Sequence, residues 1–182
     1  CYWGNSCADD LGFVRQLIEH MIEQYAVDPK RIYMTGFSQG GSTVNGFAAE
    51  LADVLAAVAP FHGFQSNGYA RGAESKLPFL QVWGTNDDTV RSDGLPGADN
   101  LIYETPEETA KEWARAQSCD ENGTTAWSSA SDGINNWSCT QHANCSDDSE
   151  VVSCSWDGAH TWPINGEDQF GWDVIWAFFM KH

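Results

Sequence analysis

The stretch Ile32-Tyr33-Met34-Thr35-Gly36-Phe37-Ser38-Gln39-Gly40-Gly41 limits what this chain can fold into more than any other. An apolar, β-prone run ends in Gly-Phe-Ser-Gln-Gly and leads into Ser42 to Leu51, a segment whose composition suits a helix. A strand that turns abruptly into a helix holds a serine at the tip of the turn, strained and with its hydroxyl exposed. Gly36 and Gly40, two before and two after the serine, are expected there for steric reasons, since a Cβ at either place would crowd strand against helix. Ser38 is the candidate nucleophile. A base and an orienting acid must come from elsewhere in the chain.

Before that turn, Asp9 or Asp10 can cap a helix with apolar residues at Leu11, Val14, Leu17, Ile18, Met21, Ile22 and Tyr25. That 3.6-residue stripe is expected to pack on a core. Val27 to Lys30 reads as a turn and Arg31 to Thr35 as a strand. Ala56 to Pro60 reads as a second strand. His62, just past its end, could face the site, but it reads first as a hydrogen-bonded structural histidine. Pro78 to Trp83 is the third strand. It runs into Gly84-Thr85-Asn86-Asp87-Asp88-Thr89-Val90. Thr105-Pro106-Glu107-Glu108 has the cap, the first-position proline and the third-position glutamate of a helix start. Glu150 to Ser155 is a fourth strand, followed by Gly158-Ala159-His160-Thr161-Trp162-Pro163. Phe170, Val174, Ile175, Ala177, Phe178 and Phe179 mark an apolar terminal helix.

Short apolar strands alternating with helices predict an α/β fold, a mostly parallel sheet with helices on both faces. In such sheets the site lies at the carboxyl ends of the strands. Ser38, Asp87 and His160 each fall just past the end of a predicted strand.

The chain's 182 residues suit a single domain, 1–182, with a real core. A formal charge of −17 argues against nucleic acid and anionic membranes as partners. Between Arg115 and Lys181 there is no Lys or Arg, which reads as an acidic, solvated surface. No apolar run approaches the ~20 residues that span a bilayer. With no initiator methionine and no signal peptide, the numbering is expected to start inside a precursor.

Six cysteines (Cys1, Cys7, Cys119, Cys139, Cys145, Cys154) and three glycosylation sequons, at Asn122, Asn136 and Asn144, point to an oxidising, extracellular compartment. Four of the cysteines and all three sequons crowd into or beside a segment at about 118–148, read as a loop-rich insert stapled by disulfides. About fifteen pairings of six cysteines are possible, and the sequence does not choose among them. A zinc site built from Cys139-x-x-His142-x-x-Cys145 is the rival reading, on a spacing that is not a recognised zinc pattern.

A serine hydroxyl is a poor nucleophile until a neighbouring base takes its proton. Imidazole suits because its unperturbed pKa lies near neutrality. A buried carboxylate then fixes the imidazole's tautomer and stabilises the imidazolium. The chain order Ser38, Asp87, His160 is that of α/β-hydrolases.

Taken together, Asp9-Asp10-Leu-Gly-Phe-Val, the run from Val27 to Gly41, Gly84 to Val90 and Gly158-Ala-His-Thr-Trp-Pro resemble the polyhydroxybutyrate depolymerase and feruloyl esterase group of secreted α/β-hydrolases. The resemblance runs from about Asp9 to the C-terminus and is weakest between Cys119 and Cys145. It implies Ser38 as nucleophile, His160 as base and Asp87, three residues before Val90, as acid, with Asp88 as the fallback. It also implies the Gln39 N–H as one oxyanion donor and Trp162 as a candidate wall of the acyl or aryl pocket. Trp83 stands where the group often has histidine. No metal or organic cofactor is implied.

The group also carries, ahead of the motif at Asp9-Asp10, the first strands of the sheet and a His-Gly loop that gives the second oxyanion donor. That segment is not in this sequence. The expectation is a piece comprising about the C-terminal two-thirds of a hydrolase domain, completed by a missing N-terminal segment or a second chain, or else a compact, self-sufficient variant. The strand bearing Ser38 would then be a sheet edge.

The activity implied is a secreted serine esterase acting on feruloyl or acetyl esters of polysaccharide, or on a hydroxyalkanoate polyester. The competing reading is a non-catalytic secreted glycoprotein, a binding module on the same skeleton. A serine peptidase is a weaker third, separated by hydrolysis of esters but not peptides. Nine tryptophans are compatible with carbohydrate or aryl contact, although most suit a core.

Overall fold

The structure is a computed structural model that describes residues 8–69, 71–129, 131–146, 149–163 and 169–182. Cys1 and Cys7 lie outside the described residues, as do Asp147 and Asp148 of the expected insert.

Six strands form one sheet: β1 (Tyr33–Phe37), β2 (Ala57–Phe61), β3 (Phe79–Gly84), β4 (Thr124–Trp127), β5 (Ser138–His142) and β6 (Val151–Trp156). Their order across the sheet is β1-β2-β3-β6-β5-β4. The first four in that order run parallel, and β5 and β4 join antiparallel at the far side. The helices are α1 (Asp10–Gln24), α2 (Gln39–Ala48), α3 (Pro106–Ala116) and α4 (Phe170–Lys181). Among the described residues no helix is long and apolar enough to cross a membrane.

Successive strand side chains point to opposite faces, and this alternation sorts the core into two layers. Ala57, Ala59 and Phe61 of β2 and Leu80 and Val82 of β3 pack with Phe170, Val174, Ile175 and Phe178 of α4. Val58 and Phe79 turn the other way, onto Val44 and Ala48 of α2 and Trp113 of α3. Helices therefore cover both faces, as the alternation of elements predicts. The start of α3 is also as expected: Thr105 Oγ1 accepts from the Glu108 N–H, and the Glu108 carboxylate accepts from the Thr105 N–H.

Two expectations need correction. The segment 118–148 is not simply a loop-rich insert, because its β4–β5 hairpin continues the main sheet. The sequences Thr-Thr-Ala-Trp and Ser-Cys-Thr-Gln-His carry no apolar run, and β4 is mostly exposed. Pairing against β6 makes them strands, and the Cys139–Cys154 disulfide joins two residues directly opposite each other in that pairing. Cys119–Cys145 closes the base of the same hairpin. With both thiols bonded to other cysteines, the zinc reading through Cys139, His142 and Cys145 loses its thiolates. His142 Nδ1 lies 2.9 Å from the Asp120 carbonyl oxygen instead.

The second correction concerns α1. Asp9 caps it as expected, its carboxylate accepting from the Gly12 N–H at 2.9 Å. Yet no α1 residue is fully buried. Leu11, Val14 and Ile18 pack partly on the core, while Leu17 and Met21 are 46% and 37% exposed. They line an apolar groove with Tyr33, Trp172, Trp176 and Phe179. The stripe is real, but half of it faces a groove that runs beside β1. Among the described residues β1 is paired only on its β2 side, so it is the expected edge strand.

At the C-terminus, Glu150 anchors α4 to the sheet. Its carboxylate accepts from Trp127 Nε1, from Lys181 Nζ and from His182 Nε2, at 2.8–3.0 Å. Burial alone would raise its pKa, but the bonds from His182 and Lys181 outweigh that and hold it at about 2, against an ordinary 4.5. A carboxyl depressed in the folded state stabilises the fold fully above its unfolded pKa. That contribution is lost as pH falls from about 4.5 to about 2. Glu150→Gln should therefore lower the melting temperature at pH 7 and leave a flatter stability curve across that window. Thermal melts from pH 7 to pH 2 measure both. A variant curve parallel to the wild type's would remove Glu150 from this role.

Candidate active site

Ser38 sits between β1 and α2 with φ 56° and ψ −122°, a conformation that side-chain-bearing residues rarely adopt. The turn is over-determined by its neighbours. The Ser38 N–H donates to the Phe61 carbonyl at 2.9 Å, and its own carbonyl accepts from the Ser42 N–H at 3.0 Å. A Cβ on Gly36 would lie 2.5 Å from the backbone of Gly40, so the steric role expected of Gly36 holds. For Gly40 the expectation is wrong, because a Cβ there would meet nothing within 4 Å. The close approaches are made by its neighbour Gly41, against the Phe61 carbonyl at 2.6 Å, and by Gly63, against the Ser38 carbonyl at 2.2 Å. Gly40 contributes the backbone that Gly36 must pass, not a restricted Cβ position of its own.

Gly63→Ala makes this crowding testable. Its methyl would strike three backbone atoms, of Ser38, Ser42 and Gly41, and none is a flexible side-chain end that could swing aside. The cost expected is at the upper end of the about 1–3 kcal/mol typical of overpacking. A urea melt of Gly63→Ala beside Gly40→Ala should show a large loss for the first and no loss, or a small gain, for the second, since Gly40 lies in α2 with open space at its Cβ.

Asp87 and His160 arrive on two loops that are bonded to each other. The Thr85 N–H donates to the Trp156 carbonyl at 2.9 Å and the Asn86 N–H to the Gly158 carbonyl at 3.0 Å. These bonds bring the loop after β3 against the loop after β6. They set His160 between its two partners: Nδ1 lies 2.7 Å from Asp87 Oδ2, and Nε2 lies 2.8 Å from Ser38 Oγ. The structure thus joins Ser38, His160 and Asp87 in one hydrogen-bonded chain. Asp88, the fallback, is exposed, and its carboxylate accepts only from the adjacent Thr89 hydroxyl among the described contacts.

Asp87 is buried and fully engaged. Oδ1 accepts from the Thr89 and Val90 N–H groups, each at 2.9 Å. Oδ2 accepts from His160 and also from His62 Nδ1, again at 2.7 Å. Burial pushes the carboxyl up, but hydrogen bonds from His160, His62 and Val90 prevail and hold it well below the usual carboxylate range. His62, fully buried, has its pKa lowered by burial against the pull of Asp87. Placing His62 past the end of a strand is legible in the sequence. Its contact with Asp87 is not, because nothing local distinguishes it from any satisfied loop histidine.

Gln39 opens α2, so its N–H is one of those the helix leaves without an intrahelical acceptor, and it lies at the positive end of the helix dipole. Trp162 is half-buried in a ring cluster, stacked on Trp172 at 4.5 Å and on Phe37 at 5.0 Å. Phe37 in turn touches the His160 ring at 4.9 Å. Among the described residues, His62, Asp87 and His160 are also the one group with metal-ligand chemistry, their ligand atoms within 4.8 Å of one another. Both Nδ1 atoms in that group are already at hydrogen-bond distance from Asp87 Oδ2.

Residues 8–109 match the Dienelactone hydrolase family. Over 95% of its length the chain is 32% identical to feruloyl esterase B of Piromyces equi, and it spans 32% of that protein. It is 26% identical to the probable feruloyl esterase C of Aspergillus niger, over 98% of this chain and 60% of that one. The chain thus spans about a third to three-fifths of these two relatives. Among solved structures, an acetyl xylan esterase from Aspergillus awamori superposes with a TM-score of 0.62 at 18% identity, over 95% of this chain and 68% of that one. The fold is that of an α/β-hydrolase.

Proposed function

This chain belongs to the dienelactone hydrolase family, and on that premise we propose that it is the catalytic part of a secreted serine esterase. One observation carries the reading: the unbroken hydrogen-bonded path from Ser38 Oγ through the His160 ring to Asp87, built at the carboxyl ends of parallel strands. Ser38 Oγ attacks the ester carbonyl carbon while His160 Nε2 takes its proton. The tetrahedral oxyanion is held by the Gln39 N–H. When the C–O bond to the alcohol breaks, His160 returns the proton to the leaving oxygen, and an acyl-Ser38 remains. Water repeats the sequence, releasing the acid and restoring the serine.

Feruloyl or acetyl esters carried on polysaccharide, or a hydroxyalkanoate polyester, are the proposed substrates, with Trp162 bordering the acyl or aryl group. The names of the relatives support the first class. The proposed unit is one catalytic domain over 1–182, with 118–148 as its disulfide-bearing insert. Disulfides at Cys119–Cys145 and Cys139–Cys154 and exposed sequon asparagines support an extracellular glycoprotein. The open side of β1 is where a further segment or a second chain would complete the sheet and bring a second oxyanion donor. The same bare edge favours a second reading, a non-catalytic binding module on the hydrolase skeleton.

A fluorophosphonate probe separates the two. The esterase reading expects one covalent adduct, located on Ser38 by mass spectrometry and missing from Ser38→Ala. A folded wild-type chain that takes up no probe would overturn it for this chain alone and favour the binding module. The unlabelled wild-type chain is then assayed on feruloyl, acetyl and hydroxybutyryl esters, with the labelled chain as the inactive control.

A further inference from the structure

We infer that His62, held as a neutral Nδ1–H tautomer by Trp156, is a positioning residue that clamps the far side of Asp87. The inference rests on the ester-hydrolase reading for its kinetic consequences, but its geometry stands apart from them. Trp156 Nε1 lies 3.2 Å from His62 Nε2. An indole N–H can only donate, so that imidazole nitrogen must present its lone pair. The ring's single proton is then on Nδ1, 2.7 Å from Asp87 Oδ2. The tautomer is set by a partner 94 residues away along the chain.

Asp87 Oδ2 is consequently shared by two imidazoles, His62 and His160, whose rings stand nearly perpendicular at 5.7 Å. With Oδ1 tied to two backbone N–H groups, the carboxylate has no freedom to rotate away from His160. Among the described residues, the titratable groups facing His62 from the elements packed on it are Asp87, after β3, and His160, after β6. Its other neighbours include the rings of Phe37, Phe61 and Trp156 and the backbone of Gly84. A second proton on His62 would have to enter at Nε2, against the indole N–H. Burial disfavours the same charge. His62 therefore donates to Asp87 without adding a positive charge that would cancel the pull of Asp87 on His160.

His62 has φ +45°, a backbone region where asparagine is better tolerated than most residues. Asparagine also places an N–H near the position of the imidazole Nδ1. His62→Phe keeps the ring and removes the donor, and His62→Asn keeps a donor and removes the ring. His62→Phe is expected to lose kcat by about 10- to 100-fold, with KM little changed. That range is typical of removing an outer hydrogen-bond partner behind a metal-binding histidine, and is applied here to a group one bond further out than Asp87. Its acid limb in the kcat/KM profile should move to higher pH, because Asp87 then shares its charge with one imidazole. His62→Asn should recover much of both. A merely structural role predicts a loss of folded protein with the acid limb unmoved.

Histidine-¹⁵N NMR of the intact chain gives a readout that needs no turnover. The wild type should show His62 protonated at Nδ1, and a protected His160 Nδ1 proton that exchanges faster in His62→Phe and is restored in His62→Asn. Finding His62 protonated at Nε2, or an unchanged His160 proton and acid limb in a folded His62→Phe, would overturn the clamp. If the wild type hydrolyses no ester but the NMR pattern holds, the clamp stands and the esterase reading falls.

Discussion

Ser38→Ala is expected to lower kcat for a short ester by about 10⁶-fold, and His160→Ala by nearly as much. The two replacements together should cost little more than either alone. Without His160 the Ser38 hydroxyl keeps its proton and is a poor nucleophile; without Ser38 the imidazole has no proton to take. The geometry makes this dependence direct, since a single 2.8 Å contact joins His160 Nε2 to Ser38 Oγ. What remains in all three variants is the part supplied by the Gln39 N–H and by holding the ester. The check is kcat for both single variants and the double, at matched fold stability. A double variant near the product of the two single losses would mean that the groups act separately, and the proposed proton path would be wrong.

Asp87→Asn should cost about 10⁴-fold in kcat, the loss known when such an acid becomes an amide. Here the reason can be followed atom by atom. Two backbone donors, Thr89 and Val90, meet Oδ1, so the amide oxygen of an asparagine is drawn to that side. Its NH₂ then faces the Nδ1 atoms of His62 and His160, both of which carry protons in the wild type. An amide nitrogen accepts from neither ring. His62, its tautomer set by the Trp156 N–H, loses its acceptor, and His160 is the ring expected to change, putting its proton on Nε2. That nitrogen can then no longer accept from Ser38. A stability loss of about 1–3 kcal/mol, from the His62 N–H left without an acceptor, with a far larger loss in kcat is the expected pair of results. A loss below about 10-fold would place the orienting acid elsewhere.

The contrast between the two substitutions shows what could be read before folding. Ser38, Asp87 and His160 could be singled out because each lies just past a short apolar strand, and because strand and turn chemistry are local properties. The capping box at Thr105 and Glu108 and the helix start at Asp9 were legible for the same reason, since each bond spans three residues. The parallel sheet followed from alternation, and its two-layer core from the period of two along β2 and β3.

Other features depended on partners far along the chain. The sequence alone could not show that Asp87 has two imidazoles on one oxygen, because His62 lies 25 residues before it and His160 73 residues after it. Nor could it show that Gly41 and Gly63, not Gly40, guard the turn, since the atoms they pass belong to other strands and loops. The hairpin of β4 and β5 has no apolar signature and exists as strands only through pairing with β6. Half of the α1 stripe stays uncovered because what it could pack against is decided by the edge of the sheet, not by the helix. The sequence by itself determined the parallel strands, the helices and which three side chains could meet. Tertiary packing decided which atoms they present to one another, because hydrogen-bond direction and close backbone approach are set by neighbours distant in sequence.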